Sequence, residues 1–301
     1  MKRELLTLRA QILIHLRKAL ENRGYLEVET PLRVRTPGTD VNLEAFASEE
    51  RYLITSPEFH MKRMLAQGFT RIYQICRCFR KGERTPLHNP EFTMLEFYAA
   101  EFSLVELMEE LENIIAEVAG KLGVKSVAYG GVECNLQPPW ERLSVEEAFR
   151  RWAEWSPVET YDEDRFYFDL VDKVDRHLGL EKPLFFHSYP APLAMLAKRD
   201  PDDSRVARRF ELYMAGVEIA NAFEELIDPV EQRARFEEDL RRRTAQGTSL
   251  YPIDEQLLEA LPKMPPCSGV AVGVDRLVML LTGAASVGEV MAFPEIMSHE
   301  L

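Results

Sequence analysis

Four separated segments of this 301-residue chain concentrate residue types that bind charged small molecules. They are residues 24–31 (GYLEVETP), 77–98 (RCFRKGERTPLHNPEFTMLEFY), 211–225 (ELYMAGVEIANAFEE) and 268–276 (SGVAVGVDR). The arginines in these segments present a planar, permanently charged fork that suits phosphate and carboxylate oxygens. Carboxylates that converge on one pocket select ammonium groups, and hard carboxylate oxygens also suit Mg²⁺. The residue types therefore fit a site for reactants that carry anionic and ammonium groups.

Helices and short strands in irregular order must hold these segments. Apolar residues recur at helical spacing over residues 4–23 and 104–122, which predicts two amphipathic helices. Extended segments are predicted at residues 25–28, 52–55, 71–80, 92–98, 184–189, 210–220 and 269–274, and a helix is predicted to follow the last of them. Because strands and helices do not alternate regularly, we expect an α+β fold, an antiparallel sheet flanked by helices. We expect a single domain over residues 1–301, since no repeat or linker interrupts the chain.

The composition indicates a large core and no membrane segment. Hydrophobic residues make up 46% of the sequence. No stretch has the roughly 18–20 nearly continuous apolar residues that a spanning helix needs. Glu4, Arg9 and Arg17 interrupt the apolar positions near the N-terminus, which argues against a signal peptide. We therefore expect a cytoplasmic protein with no membrane partner.

The acidic balance bears on the class of partner. A net charge of −13 argues against a protein that grips long nucleic acid through its phosphates. The basic cluster at residues 241–243 lies in a stretch rich in Glu, Arg and Gln, so we expect a solvated helix face, with a partner-binding patch as the alternative. The four cysteines show neither a disulfide framework nor zinc-ligand spacing, so we expect reduced thiols.

In order, the four segments resemble motif 1, motif 2, the amino-acid-binding strand and motif 3 of class II aminoacyl-tRNA synthetases. The sequences at residues 54–58 (ITSPE) and 88–98 (HNPEFTMLEFY) are similar to the lysyl, aspartyl and asparaginyl branch, and most similar to the lysyl enzymes. The resemblance covers nearly the whole chain. It implies the class II catalytic fold, activation of an amino acid by ATP with Mg²⁺, and a homodimer formed through the first helix and residues 24–31.

The resemblance also implies which residues handle ATP. Arg80 would contact the α-phosphate and the substrate carboxylate, and Arg276 would hold the γ-phosphate from the start of a helix. We expect these two arginines to be the catalytic residues. His88 would face the terminal phosphates. Glu211 and Glu218 would bind the Mg²⁺ that bridges the phosphates.

The loop of motif 2 departs from the family pattern. Phe92 matches the position that stacks on adenine, and Asn89 lies beside it in the same ATP-binding segment. Motif 2 usually reads F-R-x-E, but this chain has Gly82 where the glutamate is expected and Glu83 one place later. We expect either that Glu83 takes the role in ATP binding or that the loop is rebuilt.

A carboxylate-lined pocket is implied for the amino acid. Asn221 matches the position that binds the carboxylate end, and Glu225 the position that faces the side-chain ammonium. The further expected pocket members are Ser56, Glu58, Glu96 and Tyr98. Two alternatives stay open. Glu58 would also suit the positive end of a helix, and the spacing of Glu218, Asn221 and Glu225 would also suit one face of a helix.

One substitution distinguishes the chain from ordinary lysyl-tRNA synthetases. Their motif 3 typically reads G-x-G-x-G-x-D-R, whereas Ala271 replaces the middle glycine here, as in the truncated family of elongation factor P–lysine ligases. A methyl group there should reshape the room near the α-carbon of the substrate. The first catalytic helix also starts at the N-terminus, so no anticodon-reading domain is expected.

The ligase resemblance implies activation of (R)-β-lysine, or of lysine, and transfer to the ε-amine of a lysine on elongation factor P. On this interpretation tRNA is not the acceptor. One alternative is a truncated lysyl-tRNA synthetase, or a lysyl-adenylate-forming enzyme with another acceptor. A second is a non-catalytic regulatory relative, which the presence of Arg80, Arg276 and the acidic residues disfavours.

Overall fold

The main sheet of the computed structural model, which describes residues 2–295, has eight strands. In their order across the sheet these are β1 (Leu26–Glu27), β5 (Arg71–Phe79), β6 (Glu91–Ala100), β13 (Cys267–Gly273), β12 (Val217–Glu224), β11 (Val206–Met214), β10 (Leu184–Pro190) and β9 (Glu141–Ser144). The six inner strands pair antiparallel, and only the edge strands β1 and β9 pair parallel with their neighbours. The expected α+β class with a mainly antiparallel sheet is confirmed.

Two small sheets and a set of helices surround the main sheet. The small sheets contain β2 (Arg33–Val34), β4 (Arg51–Leu53) and β3 (Ala47–Ser48), and β7 (Ser126–Tyr129) with β8 (Val132–Asn135). The α-helices are α1 (Lys2–Glu21), α2 (Glu58–Leu65), α3 (Leu104–Lys121), α4 (Val145–Trp152), α5 (Glu163–Asp169), α6 (Pro229–Gln246), α7 (Glu255–Ala260) and α8 (Val274–Thr282).

The largest hydrophobic core lies between one face of the main sheet and α1, α3 and α8. Ile12, Leu111 and Val278 from these helices meet Phe97 of β6 there, and all four are 1% exposed or less. An amphipathic helix gains most of its stability from burying such an apolar face. The opposite face of the sheet is therefore left to carry the functional residues.

A buried ion pair joins the first helix to the start of the last one. Arg9 on α1 lies 2.6 Å from Oδ1 of Asp275 on α8, and the backbone N–H of Thr93 on β6 donates to Oδ2 at 2.7 Å. Asp275 is only 4% exposed. The ion pair and the hydrogen bond therefore connect α1, β6 and α8 at the end of the sheet where β13 leads into α8.

The prediction of one strand over residues 210–220 was wrong. The segment is a hairpin, β11 and β12, which turns at Ala215 and Gly216 with φ angles of 49° and 76°. Two positive φ angles form the tight turn that matches the right-handed twist of paired strands. The sequence Ala-Gly lacks the usual Asn-Gly signal for this turn, which is why the two strands were read as one.

One arginine of the basic cluster at residues 241–243, on α6, does not face solvent as expected. The helix forms as expected, but Arg243 is fully buried. Its guanidinium donates to the carbonyl oxygens of Asp40, Leu43 and Ser249 and pairs with Glu44. Arg243 therefore holds the loop after β2 instead of facing solvent.

None of the helices in residues 2–295 is long and apolar enough to cross a membrane.

Candidate active site

A row of predicted site residues crosses the middle of the main sheet. Glu211 on β11 lies opposite Asn221 on β12, Asn221 lies opposite Ala271 on β13, and Ala271 lies opposite Glu96 on β6. Directly opposed residues point to the same face of a sheet. All four line one cavity of about 760 Å³ on the face away from the main core. Long-range strand pairing thus brings together residues from three separate motifs.

A β-bulge adds Glu218 to this cavity. Two residues three apart on a regular strand point to opposite faces, which would separate Glu218 from Asn221. The pairing of β11 with β12 shifts by one residue between Leu212 and Tyr213, and Ile219 is the extra residue on β12. The extra residue reverses the face of the sheet to which the side chains beyond it point. Glu218 and Asn221 therefore both line the cavity.

Arg276 and His88 meet at one end of the cavity. The guanidinium of Arg276 donates to the backbone oxygens of Leu87 and Glu218, and its Nη2 lies 2.5 Å from Nε2 of His88. Arginine can only donate, so Nε2 of His88 accepts and its Nδ1–H donates to Oγ1 of Thr85 at 2.7 Å. Burial, and then the charge of Arg276, lower the pKa of His88. His88 is thus a neutral imidazole that helps to aim the arginine.

Arg80 and Phe92 form a second, adjacent wall. The guanidinium carbon of Arg80 lies 5.1 Å from the ring centroid of Phe92, a cation–π contact. The buried Nε of Arg80 has no hydrogen-bond partner among the described residues. Both side chains line the cavity. The unpaired N–H of Arg80 can donate to an anion, and the ring of Phe92 offers a flat surface to a planar ring. This wall therefore suits a ligand that contains both.

A glycine sets the turn of the motif 2 loop. Gly82 has a φ of 87°, a conformation that a glutamate would adopt only under strain. The turn brings Oε1 of Glu83 to 4.0 Å from a guanidinium nitrogen of Arg80, and Glu83 lines the cavity. Asn89 also lines it, but its side chain donates to the carbonyl oxygen of Glu91 and accepts from the N–H of Glu295. The predicted contacts of Glu83 and Asn89 with ATP stay predictions.

Glu211 and Glu218, the expected Mg²⁺ ligands, differ in their freedom. Oε1 of Glu211 lies 2.5 Å from the guanidinium of Arg209, and the hydroxyl of Tyr213 donates to Oε2 at 2.8 Å. Glu218 makes a longer contact of 3.4 Å with Arg276, and 40% of its side chain is accessible within the cavity. Burial, and then the charge of Glu211, raise the pKa of Glu218. Glu218 is therefore the more available oxygen ligand.

A third carboxylate lies close to this pair. Burial, followed by the charges of Glu211 and Glu218, raises the pKa of Asp175 to about 6, and its Oδ1 is buried without a hydrogen-bond partner among the described residues. Such hard oxygens fit Mg²⁺. No three acidic, His or Cys side chains in residues 2–295 are arranged to hold a metal by themselves, so ligand oxygens and water would have to complete its shell.

The far end of the cavity carries Glu96. Oγ of Ser56 donates to Oε1 of Glu96 at 2.5 Å, and the hydroxyl of Tyr98 donates to Oε2 at 2.9 Å. Burial, and then the charge of Glu58, raise the pKa of Glu96 to about 8. Ser56, Glu58 and Glu96 line the cavity, whereas Tyr98 lies behind Glu96. An ammonium group entering here would meet a carboxylate that still holds a proton at neutral pH.

Glu58 and Glu225 are already paired with an ammonium of this chain. Nζ of Lys62 lies 2.6 Å from Oε1 of Glu58 and 2.5 Å from Oε2 of Glu225. Lys62 and Glu225 each leave only 1% of the side chain exposed, and Glu225 does not line the cavity. Oε1 of Glu225 has no hydrogen-bond partner among the described residues. The predicted contact of Glu225 with the substrate stays a prediction.

Gly269 makes room for this buried group. A Cβ atom built at Gly269 would overlap the ring of Tyr98 and lie 2.9 Å from Oε1 of Glu225. Gly269 pairs with Tyr98 on one side and with Phe223 on the other. The glycine that opens motif 3 therefore permits the close approach of the tyrosine and the glutamate.

Sequence reasoning missed Lys62 and Arg209. Lys62 follows Glu58 by one helical turn, and that spacing is a usable signal for an ion pair. Arg209 precedes Glu211 by two residues on β11, so both point to the same face, and Nε of Arg209 also donates to Oδ1 of Asn221 at 3.2 Å. Nothing in the sequence indicated that either cation would be buried.

Comparison with known proteins agrees with these motifs. A model of the family "tRNA synthetases class II (D, K and N)" matches residues 1–297. A protein of Proteus mirabilis described as an elongation factor P–(R)-beta-lysine ligase is 41% identical, over 95% of this chain and 93% of its own length. Proteins of the same description from Klebsiella pneumoniae and Salmonella gallinarum are 40% and 41% identical with the same coverage. The chain therefore belongs to the D, K and N family of class II tRNA synthetases, in the branch that contains the elongation factor P–(R)-beta-lysine ligases.

Proposed function

We propose that the chain is an ATP-dependent ligase that activates (R)-β-lysine or lysine as an aminoacyl-adenylate and transfers it to a lysine ε-amine of elongation factor P. One observation supports this best: a single cavity runs along β6 from Arg80 and Phe92 to Glu96. The first end suits the phosphates and ring of ATP, and the second suits the ammonium groups of an amino acid. The description of the relatives supplies the acceptor.

The first step joins two anions. An oxygen of the amino-acid carboxylate attacks the α-phosphorus of ATP, and the bond from that phosphorus to the pyrophosphate oxygen breaks. Arg80 would hold the α-phosphate and the attacking carboxylate, and Arg276 the γ-phosphate. Positive charge fixed in advance at these places stabilises the charge that builds up in the transition state. Asn221, held by Arg209, would position the carboxylate end of the amino acid.

Mg²⁺ bound by Glu218 and Glu211 would neutralise phosphate charge and orient the leaving pyrophosphate. Glu218 is available for this without rearrangement, because its side chain is partly accessible in the cavity. Glu211 would have to share an oxygen that now pairs with Arg209.

The second step makes an amide. The acceptor amine, after losing a proton, attacks the carbonyl carbon of the adenylate, and the carbon–oxygen bond to AMP breaks. The products are AMP and a lysyl amide on the acceptor. Since ATP and a translation factor are both substrates, we place this reaction in the cytoplasm.

We also propose that the chain acts as a homodimer through α1 and residues 24–31. Apolar side chains are exposed there: Ile14 is 49% and Leu26 53% exposed. Strand β1 is an edge of the main sheet. Light scattering should give twice the chain mass, and Ile14→Glu with Leu26→Glu should give the monomer.

The proposed function is tested with pure protein, ATP and Mg²⁺, offered either (R)-β-lysine or α-lysine, and either elongation factor P or total tRNA. Intact mass spectrometry reads the protein acceptor and acid gels read the tRNA. A gain of one lysyl group on elongation factor P with uncharged tRNA supports the ligase. Charged tRNA with unmodified elongation factor P would establish a minimal synthetase instead.

A further inference from the structure

A buried lysine beside the cavity has no part in the reaction steps above. Lys62 on α2 is 1% exposed and touches the carboxylates of Glu58 and Glu225. Burial disfavours its charge, but Glu225 and Glu58 outweigh burial and raise the pKa of Lys62. Removing an ammonium from water is costly, so a lysine in this position is retained only with good anionic partners.

We propose that Lys62 is a positioning residue of the amine pocket, whose fixed ammonium orients Glu58 and Glu225 and leaves each one free oxygen for an ammonium of the substrate. This inference rests on the proposed function, because it takes the substrate to be a diamine. Lys62 uses Oε1 of Glu58 and Oε2 of Glu225. The remaining oxygen of Glu225, Oε1, is buried without a hydrogen-bond partner among the described residues.

Counting charges supports this arrangement. The cluster contains the carboxylates of Glu58, Glu96 and Glu225 and the one ammonium of Lys62. When all are ionised, the sum is two negative charges, which the two ammonium groups of a lysine would balance. Without Lys62 the same substrate would leave one carboxylate unbalanced in a buried site.

Other titratable groups packed around the cluster do not supply a second cation. Tyr98 on β6 donates to Glu96 and has a raised pKa because of burial and that carboxylate. Cys267 on β13 is buried, and burial and then Glu225 raise the pKa of its thiol. Both are therefore neutral near physiological pH. Lys62 is the one cation paired with these carboxylates among the residues that the structure describes.

The test is amino-acid-dependent pyrophosphate exchange, which needs no acceptor protein. Lys62→Met has a side chain of similar length without charge. We expect its KM for lysine to rise about tenfold or more at neutral pH, while its KM for ATP stays within about twofold. An exposed lysine on the other side of the sheet gives a matched control, Lys121→Met, which should change neither KM.

A pH series separates positioning from simple loss of packing. Lys62 lowers the pKa of Glu225, so its removal should shift the rise of kcat/KM for lysine to higher pH by about one unit. Part of the lysine affinity should therefore return in alkaline buffer. An unchanged KM for lysine, or an equal rise in the KM of both substrates at every pH, would overturn the inference.

A double substitution covers the case in which Lys62→Met does not fold. Lys62→Met/Glu225→Gln removes both charges of one pair and keeps its shape. If Lys62 acts through Glu225, the double variant should have a KM for lysine within about threefold of that of Glu225→Gln alone. A full additional tenfold rise would contradict the inference. Wild-type protein that exchanges with lysine but does not modify elongation factor P would refute the proposed acceptor and leave this comparison valid.

Discussion

Nζ of Lys62 lies 2.5 Å from Oε2 of Glu225, so the carboxylate expected to receive a substrate ammonium already holds an ammonium of the chain itself. The two side chains come from positions 163 residues apart, one on α2 and one just after β12, and meet out of contact with bulk water. A pocket that already contains one fixed cation is selective for the number of further ammonium groups it can accept.

Glu225→Gln should weaken lysine binding and leave ATP binding intact. The amide keeps the shape of the side chain but removes the charge that pairs with Lys62 and that we expect to face a substrate ammonium. We expect the KM for lysine in pyrophosphate exchange to rise roughly tenfold to a hundredfold, with the KM for ATP unchanged. Glu224→Gln is the matched control, since the buried carboxylate of Glu224 pairs with Lys198 and Arg208 and does not line the cavity. Normal lysine-dependent pyrophosphate exchange by Glu225→Gln would show that Glu225 does not bind the substrate.

Lysine binding should release protons near neutral pH. Burial raises the pKa of both Glu96 and Glu225 to about 8, with Lys62 opposing the shift at Glu225, so the empty cluster still holds protons at pH 7, chiefly on Glu96. Ammonium groups favour the ionised carboxylates and should displace these protons. Calorimetric titration in two buffers of different ionisation enthalpy measures the release. The release should shrink as the pH rises above about 8, because the carboxylates are then already ionised before lysine binds. Equal heats in both buffers at pH 7 would contradict the raised pKa values.

The same pKa values give a sign for stability. The folded-state pKa of Glu96 and of Glu225 lies above the ordinary value of 4.5, so the folded cluster binds more protons than the unfolded chain. Its contribution to the free energy of unfolding should therefore fall as pH rises from about 4.5 to 8. Melting temperatures measured across that range should show a smaller fall for Glu96→Gln/Glu225→Gln than for the wild type. A fall of equal size in both proteins would assign the effect to other groups.

Ala271→Gly should improve the use of α-lysine relative to (R)-β-lysine. Ala271 lies between Asn221 and Glu96 in the row that lines the cavity, so its methyl group occupies space beside the substrate. We expect the ratio of kcat/KM for the two isomers to change about fivefold to tenfold, as for one methyl group in a pocket. Ala222→Gly is the matched control, because Ala222 lies in the core on the other face of the sheet. If the ratio of kcat/KM for the two isomers is unchanged in Ala271→Gly, the methyl group of Ala271 does not set the isomer preference.

Arg276→Lys should lose most of the ATP-dependent activity despite keeping the charge. The guanidinium makes separate contacts with Leu87, Glu218 and His88, and a single ammonium cannot reproduce that fork. We expect kcat/KM for ATP in pyrophosphate exchange to fall about a hundredfold or more. Arg77→Lys, at a half-exposed position paired with Glu91, should behave like the wild type. Retention of activity in Arg276→Lys would show that charge alone suffices there.

Asp275→Asn should destabilise the fold. Asp275 accepts from the backbone of Thr93 and pairs with Arg9, and both contacts are buried. Leaving Arg9 unpaired should reduce the free energy of unfolding by about 3 kcal/mol, measured by urea denaturation. The exposed pair of Arg150 with Glu159 supplies the control, and Glu159→Gln should change stability by less than about 0.5 kcal/mol. A small effect of Asp275→Asn would mean that apolar packing and the hydrogen bonds of Arg9 with Thr93 and Val290 suffice to hold α1.

Motif order predicted the fold class, and most of the residues that it assigned to the site line the cavity. Segments as far apart as Glu96 and Asn221 were assigned to one site because each belongs to a motif of the same family. The structure brings both into the row across β6, β13 and β12. The helix of residues 104–122 was also predicted nearly to its ends, since its apolar stripe is regular and Ser103 caps it. Local periodicity and capping are properties of neighbouring residues, and so they can be read from sequence.

Other features arose only from contacts between distant residues. The bulge at Ile219, which turns Glu218 toward the cavity, depends on the pairing of β12 with β11. The positive φ of Gly82, which sets the turn beside Glu83, is likewise a property of the folded loop.

By itself, the sequence determined which chemical groups this protein has for binding anions and ammonium groups, and in which order they follow along the chain. The tertiary structure decided which of these groups are already paired with one another. Asn89 is engaged with the backbone, Glu211 with Arg209, and Glu225 with Lys62. The physical reason is that the effect of a buried charge depends on distances of a few ångströms between side chains, and those distances are set by packing between elements far apart in the chain.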